Sequence, residues 1–319
     1  MNSVDAPAYS PAPEWSGRSD GPGPEHARWH SVVRPLDVDN PQGQPGIALL
    51  GFASDEGVAR NHGRPGAAAG PEALRNALGS LAVHHAHVLY DAGTVTTQGT
   101  DLESAHELLS ASVEALSHAG HLPIILGGGH ETAFGSHRGA FQARGPLKII
   151  NLDAHFDLRT ADVPTSGTPF KQISELVGRE DFDYTVLGIS RPNNTKVLFD
   201  EAADLGVTIT LDEELLAMNL QQVRAHAEQL CAGEAPIHLS IDLDVLPAAQ
   251  APGVSAPAGL GVDLPIIREL AVTLAATGRL ALVDVVELNP SFDLDSRTAK
   301  LAARLIDDIV TAHFSAVSA

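Results

Sequence analysis

An α/β fold, a largely parallel sheet with helices on both faces, is predicted by three observations. Short continuous apolar runs recur along the 319 residues, and helix-like segments fall between most of them. The chemically distinctive residues follow the ends of those runs, which is where parallel α/β sheets place their ligands.

Taken in order, residues 1–45 are rich in Pro, Gly, Ser and charge with little periodicity, so an irregular arm or cap is expected ahead of a main domain over 46–319. Strands are expected at Ile47–Phe52, Val88–Tyr90, Leu122–Leu126, Leu147–Leu152, Tyr184–Ile189, Val207–Thr210, Ile237–Leu243 and Leu280–Leu288. Helices are expected at Pro71–Leu81, Leu102–His118, Gln221–Cys231, Leu264–Ala276 and Ser296–His313. Pro71 suits a first helical turn, and Gly120 is placed to close the helix that starts near Leu102. No internal repeat is visible.

Composition narrows the function classes. Hydrophobic residues make up 44% and aromatics 4%, which implies a sizeable core of Ala, Val, Leu and Ile. A formal charge of -20 argues against nucleic acid or an anionic membrane surface as the main partner. Cys231 is the single cysteine, so no intrachain disulfide is possible and a thiolate metal site is disfavoured. No apolar run approaches a membrane span, and the N-terminus lacks a secretory pattern, so a cytoplasmic enzyme is expected.

Three segments carry the chemistry. In Gly127-Gly128-Gly129-His130-Glu131 the glycines let the backbone turn sharply after a strand and project His130 at its end. Alone, this could equally be a glycine-rich turn with a helix-capping histidine. In Asp153-Ala154-His155-Phe156-Asp157, residues two apart in an extended segment point to the same side, so all three ionisable groups can converge. Such a cluster beside an apolar strand would repel and desolvate badly without a compensating cation. Ser240-Ile241-Asp242-Leu243-Asp244 places two more carboxylates at a strand terminus, where an unpaired pair would be costly. The alternative for the second segment is a surface acidic loop with a chance histidine, and for the third, taken singly, a helix-capping or turn Asp pair.

Together they supply two His and four Asp, an oxygen-rich, nitrogen-containing and thiolate-free set that suits Mn²⁺ best among common catalytic divalents. Six donors are too many for one open site but serve two ions with bridging carboxylates. Such ions typically lie about 3.5–4 Å apart and lower the pKa of a shared water from roughly 15.7 to about 7. No nucleophile elbow or phosphate loop competes, since Gly127–Gly129 is followed by His-Glu rather than Gly-Lys-Ser/Thr.

From about Ile47 to the C-terminus the chain resembles the ureohydrolase superfamily of arginase, agmatinase and formimidoylglutamase. The resemblance rests on Gly-Gly-Gly-His at 127–130, Asp-Ala-His-Phe-Asp at 153–157 and the Ser240–Asp244 segment, which continues to Pro252-Gly253 and Gly261. It implies a three-layer α/β/α fold with a central eight-stranded parallel sheet. It also implies that His130 and Asp157 bind one manganese, His155 and Asp244 the other, and Asp153 and Asp242 bridge both, giving two Mn²⁺ per subunit. Glu287, in Val285-Val286-Glu287-Leu288-Asn289-Pro290, matches the family carboxylate that holds a cationic amidine or guanidine. A homo-oligomer, trimeric or hexameric, is implied as well.

Within that superfamily, several segments look like its formimidoylglutamase branch: Trp15-Ser16-Gly17-Arg18, Arg28-Trp29-His30, Asp55-Glu56-Gly57-Val58-Ala59-Arg60-Asn61, Gly129-His130-Glu131-Thr132 and Ser166-Gly167-Thr168-Pro169-Phe170. Arginases carry a proton-shuttling histidine where this chain has Phe170, and Asn where it has Arg159. Arg159 is a fixed cation able to pair bidentately with a carboxylate, as a glutamate-derived substrate demands. Ser166, Arg60 and Arg191 are further candidates for the substrate, although each arginine could equally serve a structural salt bridge. His84, His85 and His87 are read as surface or loop residues, and His62 is left unassigned.

The expected reaction is hydrolysis of N-formimidoyl-L-glutamate to formamide and L-glutamate in histidine degradation, with Asp157 relaying a proton and Glu287 holding the amidine. Another ureohydrolase releasing urea from arginine, agmatine or a guanidino acid is the nearest alternative. A single-zinc deacetylase is disfavoured by the bridging Asp pair, and a non-catalytic metal or ligand-binding protein by retention of all six donors.

Overall fold

A computed structural model describes residues 8–85 and 87–317. Its centre is a 10-stranded sheet. The strands are β1 (Ala8–Ser10), β2 (Arg34–Pro35), β3 (Ile47–Ala53), β4 (Leu89–Thr96), β5 (Leu122–Leu126), β6 (Lys148–Leu152), β7 (Asp183–Ile189), β8 (Thr208–Leu211), β9 (Ile237–Asp242) and β10 (Leu280–Val286). Their order is β1-β4-β3-β5-β10-β9-β6-β7-β8, with β2 beside β4. From β4 to β8 every neighbouring pair is parallel, so the eight-stranded parallel sheet is present.

The strands are apolar on both faces because helices cover both. Leu122, Ile124 and Leu126 of β5 pack into one core with Leu74, Leu78, Ile267, Leu270 and Ile306, while Ile125 between them packs with Leu102, Leu109 and Val113 on the other side. A third cluster, around Phe156, Phe170, Ile173 and Val186, extends the second layer beneath the metal-ligand candidates. The helix Leu102–His118 starts at Asp101, whose side chain accepts from Ser104 N at 3.1 Å, and stops before Gly120 at φ +84°.

Several boundaries differ from expectation for identifiable reasons. The second expected strand, Val88–Tyr90, runs on to Thr96 although Asp91 lies within it. Asp91 is fully buried, but Arg75 grips it bidentately at 2.8 and 2.9 Å, and Trp15 Nε1 donates to it at 2.8 Å. Strand β9 ends at Asp242 rather than Leu243, because the Asp242 side chain accepts from Asp244 N and caps a short 3-10 turn. The N-terminal segment is less irregular than expected. It contributes β1, antiparallel to β4, and β2, parallel to it, and buries Trp29 completely.

Candidate active site

The candidate residues meet beyond the C-terminal ends of β5, β6, β9 and β10, around a cavity of about 340 Å³. His130 follows β5 through a turn that only glycine permits. A Cβ on Gly128 would sit 1.8 Å from Ser54 O, and one on Gly127 2.6 Å from Val286 Cγ1. The turn is tied to β10, since Gly127 N donates to Val285 O and Glu287 N to Gly128 O, both at 2.8 Å. Glu287 in turn accepts from His130 N at 2.8 Å through Oε1.

After β6 the chain does not stay extended. Asp153 and Asp157 face one histidine because the segment turns, with Asp157 held at φ +49°. The convergence expected from two-residue alternation is therefore reached by a turn with left-handed backbone. Glu287, at φ +68°, is placed in the same way. Non-glycine residues in this region cluster at functional sites, where neighbours hold them in place. Asn151 supports the start of the turn, donating to Asp153 Oδ2 at 2.9 Å and to the Tyr184 hydroxyl at 3.1 Å.

The six predicted donors converge. Nδ1 of His130 lies 3.1 Å from Asp153 Oδ2, 3.0 Å from Asp157 Oδ2 and 3.1 Å from Asp242 Oδ2. Nδ1 of His155 lies 3.1 Å from Asp244 Oδ2 and 3.7 Å from Asp153 Oδ1. These side chains form two donor sets, His130 with Asp153, Asp157 and Asp242, and His155 with Asp153 and Asp244. Asp153 belongs to both, as a bridging ligand must. Asp242 joins the first set alone, although its Oδ1 accepts from Asp244 N at 2.8 Å.

The chemistry of these donors fits divalent cations. His130 Nε2 is engaged by Ser240 Oγ at 3.0 Å, which leaves Nδ1 as the atom aimed at three carboxylates. Among the described residues that buried Nδ1 is within ion-pair distance of all three but has no hydrogen bond of proper direction, and Asp244 Oδ1 is likewise unpartnered. A nitrogen lone pair surrounded by buried carboxylate oxygens is what a cation would satisfy.

Without such a cation only protons can relieve the crowding. Asp242 is pushed well above the usual carboxylate range, first by burial and then by Asp244 and Asp153. Asp157 rises through burial and Asp153. Burial also pushes Asp153 up, but His130 and His155 overcome it and hold that group low. Glu287 is raised well above its usual value by burial, then by Asp242, Glu131 and Asp244. Burial pushes Glu131 up to about 7 against hydrogen bonds from Ser54 and Gly57.

The substrate-side candidates divide. Arg159 and Ser166 line the cavity with Glu287. Arg159 N donates to Gly167 O at 2.9 Å, and among the described residues its guanidinium has no ion-pair partner. Arg60 does not line the cavity. Its guanidinium is bonded to Glu56, Glu103, Thr100 O and Pro164 O, so it serves as a structural clamp. Arg191 is also away from the cavity, mostly exposed and 3.5 Å from Glu213. What separates both from Arg159 is nearby carboxylates: Glu56 and Glu103 engage Arg60, and Glu213 faces Arg191, so the salt-bridge reading fits them better than the substrate one.

Other cavity residues carried a weaker sequence signal or none. Asn61 ends the segment Asp55–Asn61 and donates through Nδ2 to Ser166 Oγ at 3.1 Å. His62 lines the wall at φ +61°. Arg64, Asn194 and Ser255 also line it, and Arg64 stacks over the Phe292 ring at 3.9 Å from its centroid. Phe170 is fully buried, set edge-on to His130 at 5.3 Å and stacked on Tyr184 at 4.5 Å, so it presents no titratable group.

Comparison with known proteins agrees with this arrangement. Residues 45–311 match the description "Arginase family". A formimidoylglutamase of Corynebacterium efficiens is 54% identical over 303 residues, covering 95% of this chain and 96% of the relative. One of Chromobacterium violaceum is 48% identical, covering 91% and 95%. A crystal structure of Trypanosoma cruzi formiminoglutamase with Mn²⁺ superposes with a TM-score of 0.79 at 25% identity, covering 90% of this chain and 98% of that one. With a family match spanning nearly the whole main domain and relatives this similar over nearly their full length, the chain belongs to the arginase family.

Proposed function

We propose that this protein hydrolyses N-formimidoyl-L-glutamate to formamide and L-glutamate, a step of histidine degradation, using two divalent cations with manganese the preferred ion. One observation carries the reading. A single cavity joins the donor cage of His130, Asp153, His155, Asp157, Asp242 and Asp244 to a buried carboxylate, Glu287, and to Arg159, whose guanidinium has no ion-pair partner among the described residues. The relatives named formimidoylglutamase support the choice of substrate.

Cations held by the six donors would supply an activated water and stabilise the charge that develops on the amidine carbon's substituents. The remaining work falls to the chain. Glu287, fixed by His130 N–H, accepts hydrogen bonds from the amidine nitrogens, and their positive charge offsets the neighbouring carboxylates that raise its pKa. Arg159 pairs with a carboxylate of the glutamate portion, and Ser166 offers a hydroxyl beside it. Asp157 accepts a proton from the attacking water and returns it to the departing amino nitrogen. Phe170 leaves no competing base at its position.

A cytoplasmic location and a homo-oligomeric assembly belong to the same reading. Among the described residues no helix is long and apolar enough to cross a membrane. The deciding experiment gives purified, Mn²⁺-loaded protein N-formimidoyl-L-glutamate, arginine, agmatine and a guanidino acid in turn. Formamide from the first and no urea from the others is expected. Urea from any of the three guanidino compounds, without formamide, overturns the substrate assignment.

A further inference from the structure

Glu131 is fully buried next to His130 in the chain, yet it belongs to neither donor set. Its Oε1 accepts from Gly57 N at 3.0 Å and from Ser54 Oγ at 3.0 Å. Both partners lie in the segment that leaves β3 and forms the short helix Glu56–Arg60. The fit is close. A Cβ on Gly57 would come within 2.5 Å of Glu131 Cδ, and one on Gly129 within 2.1 Å of Glu131 Oε2.

The same segment continues into the substrate wall. Gly57 O accepts from Ser166 N at 3.0 Å, and Asn61, at the helix end, donates to Ser166 Oγ. Gly167 is wedged between two side chains. A Cβ there would sit 2.9 Å from Arg159 Cδ and 3.2 Å from Asn61 Nδ2. Arg60 pins the far side of the helix to Glu103 and to the carbonyls of Thr100 and Pro164. The Gly57 peptide groups therefore stand between Glu131 and Ser166, and Asn61, Ser166 and Arg159 form one continuous wall.

We propose that Asn61 is a specificity-determining residue that contacts the glutamate portion of the substrate, and that Glu131 is a positioning residue that acts through the Ser54–Asn61 segment to hold it there. The proposal rests on the function given above for the choice of probe. A carboxylate meeting this wall finds the Arg159 cation, the Ser166 hydroxyl and the Asn61 amide, which is a donor set suited to an acid end. Glu131 needs only an acceptor oxygen at the right reach to do its part. Glutamine supplies that oxygen, whereas aspartate keeps the charge but falls one methylene short.

The test uses full-length Mn²⁺-loaded protein and the variants Asn61→Ala, Glu131→Asp, Glu131→Gln and Asn61→Ala/Glu131→Asp. Metal content, L-glutamate binding by calorimetry, and KM and kcat are measured for each. Wild-type formamide release, read first, decides the proposed reaction separately. If another substrate is the one turned over, the coupling between positions 61 and 131 is read with that substrate and its product.

Asn61→Ala and Glu131→Asp are each expected to weaken product binding and raise KM roughly 5- to 20-fold, a loss of the size of one or two hydrogen bonds to a charged group. Metal content should be unchanged and kcat within about 3-fold, and the double variant no worse than the weaker-binding single variant by more than about 2-fold. Glu131→Gln should stay within about 2-fold of wild type. Three results would overturn the proposal: multiplied losses in the double variant, Glu131→Gln as impaired as Glu131→Asp, or an effect of Glu131→Asp on metal content rather than on KM. Unchanged product binding and KM in Asn61→Ala would do the same.

Discussion

Asp153 Oδ2 lies 3.1 Å from His130 Nδ1, while the other oxygen of the same carboxylate faces His155, so this one side chain joins the two donor sets. Removing it should affect both. Asp153→Ala is expected to reduce bound manganese below two per subunit and to lower kcat by about 10³-fold or more, since such ions contribute several kcal/mol of transition-state stabilisation. Elemental analysis alongside formamide release checks both effects. Full metal occupancy with near-normal turnover would contradict the bridging role.

Chelation gives a second handle. Treatment with EDTA should abolish activity and lower the melting temperature, because buried carboxylates at Asp157 and Asp242 lose the charge that compensates them. Mn²⁺ added back at about 100 times its dissociation constant should restore roughly 2.7 kcal/mol of stability. Calorimetry with and without the ion measures this, and an unshifted melting temperature would count against the cage as a cation site.

The two arginines predict opposite results. Arg159→Met should raise KM about 10- to 100-fold while changing kcat much less, the expectation for a lost charge-assisted contact in the ground state. Arg191→Met should leave both within about 2-fold, because its partner Glu213 is an exposed surface group. Steady-state kinetics on the two variants separates a substrate-binding cation from a surface ion pair.

His106 makes stability depend on pH. It is buried between Phe52 and Phe134, and burial pushes its pKa from 6.5 down to about 4. The unfolded chain therefore takes up this proton before the folded one does. Stability should fall as pH drops from about 6.5 towards 4 and then level off, a loss of about 3 kcal/mol from this group. His106→Leu should show a correspondingly shallower decline in urea unfolding midpoints across that window. Parallel declines in the two proteins would show that another group is responsible.

Much of the architecture is legible because a parallel sheet buried on both faces writes its strands as continuous apolar runs. All eight were visible, with errors where polar residues are buried in pairs. Asp91 would end a strand if Arg75 and Trp15 did not satisfy it, and neither partner is near it in the chain. The donor cage was legible because its residues sit at strand ends in short motifs. The turn at Asp157 that makes them meet was not, since Asp tolerates left-handed backbone without requiring it and the motif holds no glycine to mark the position. The substrate wall was the least legible part. Arg60 and Arg159 are alike as letters, and only the positions of Glu56 and Glu103 turn one into a clamp and leave the other facing the cavity. Asn61 lay within a recognised segment, but its partner Ser166 is 105 residues away.

The N-terminal segment has a consequence for how copies of the chain behave towards each other. By laying β1 and β2 along β4, and by bonding the Tyr9 hydroxyl to Ala92 O at 3.0 Å, it occupies the amide groups of an outermost strand that would otherwise be a template for β-pairing between molecules. Its opposite counterpart, β8, is only four residues long and offers little to pair with. Removing the first 40 residues should therefore make the protein prone to self-association before it alters chemistry at the cavity, a difference that light scattering would reveal.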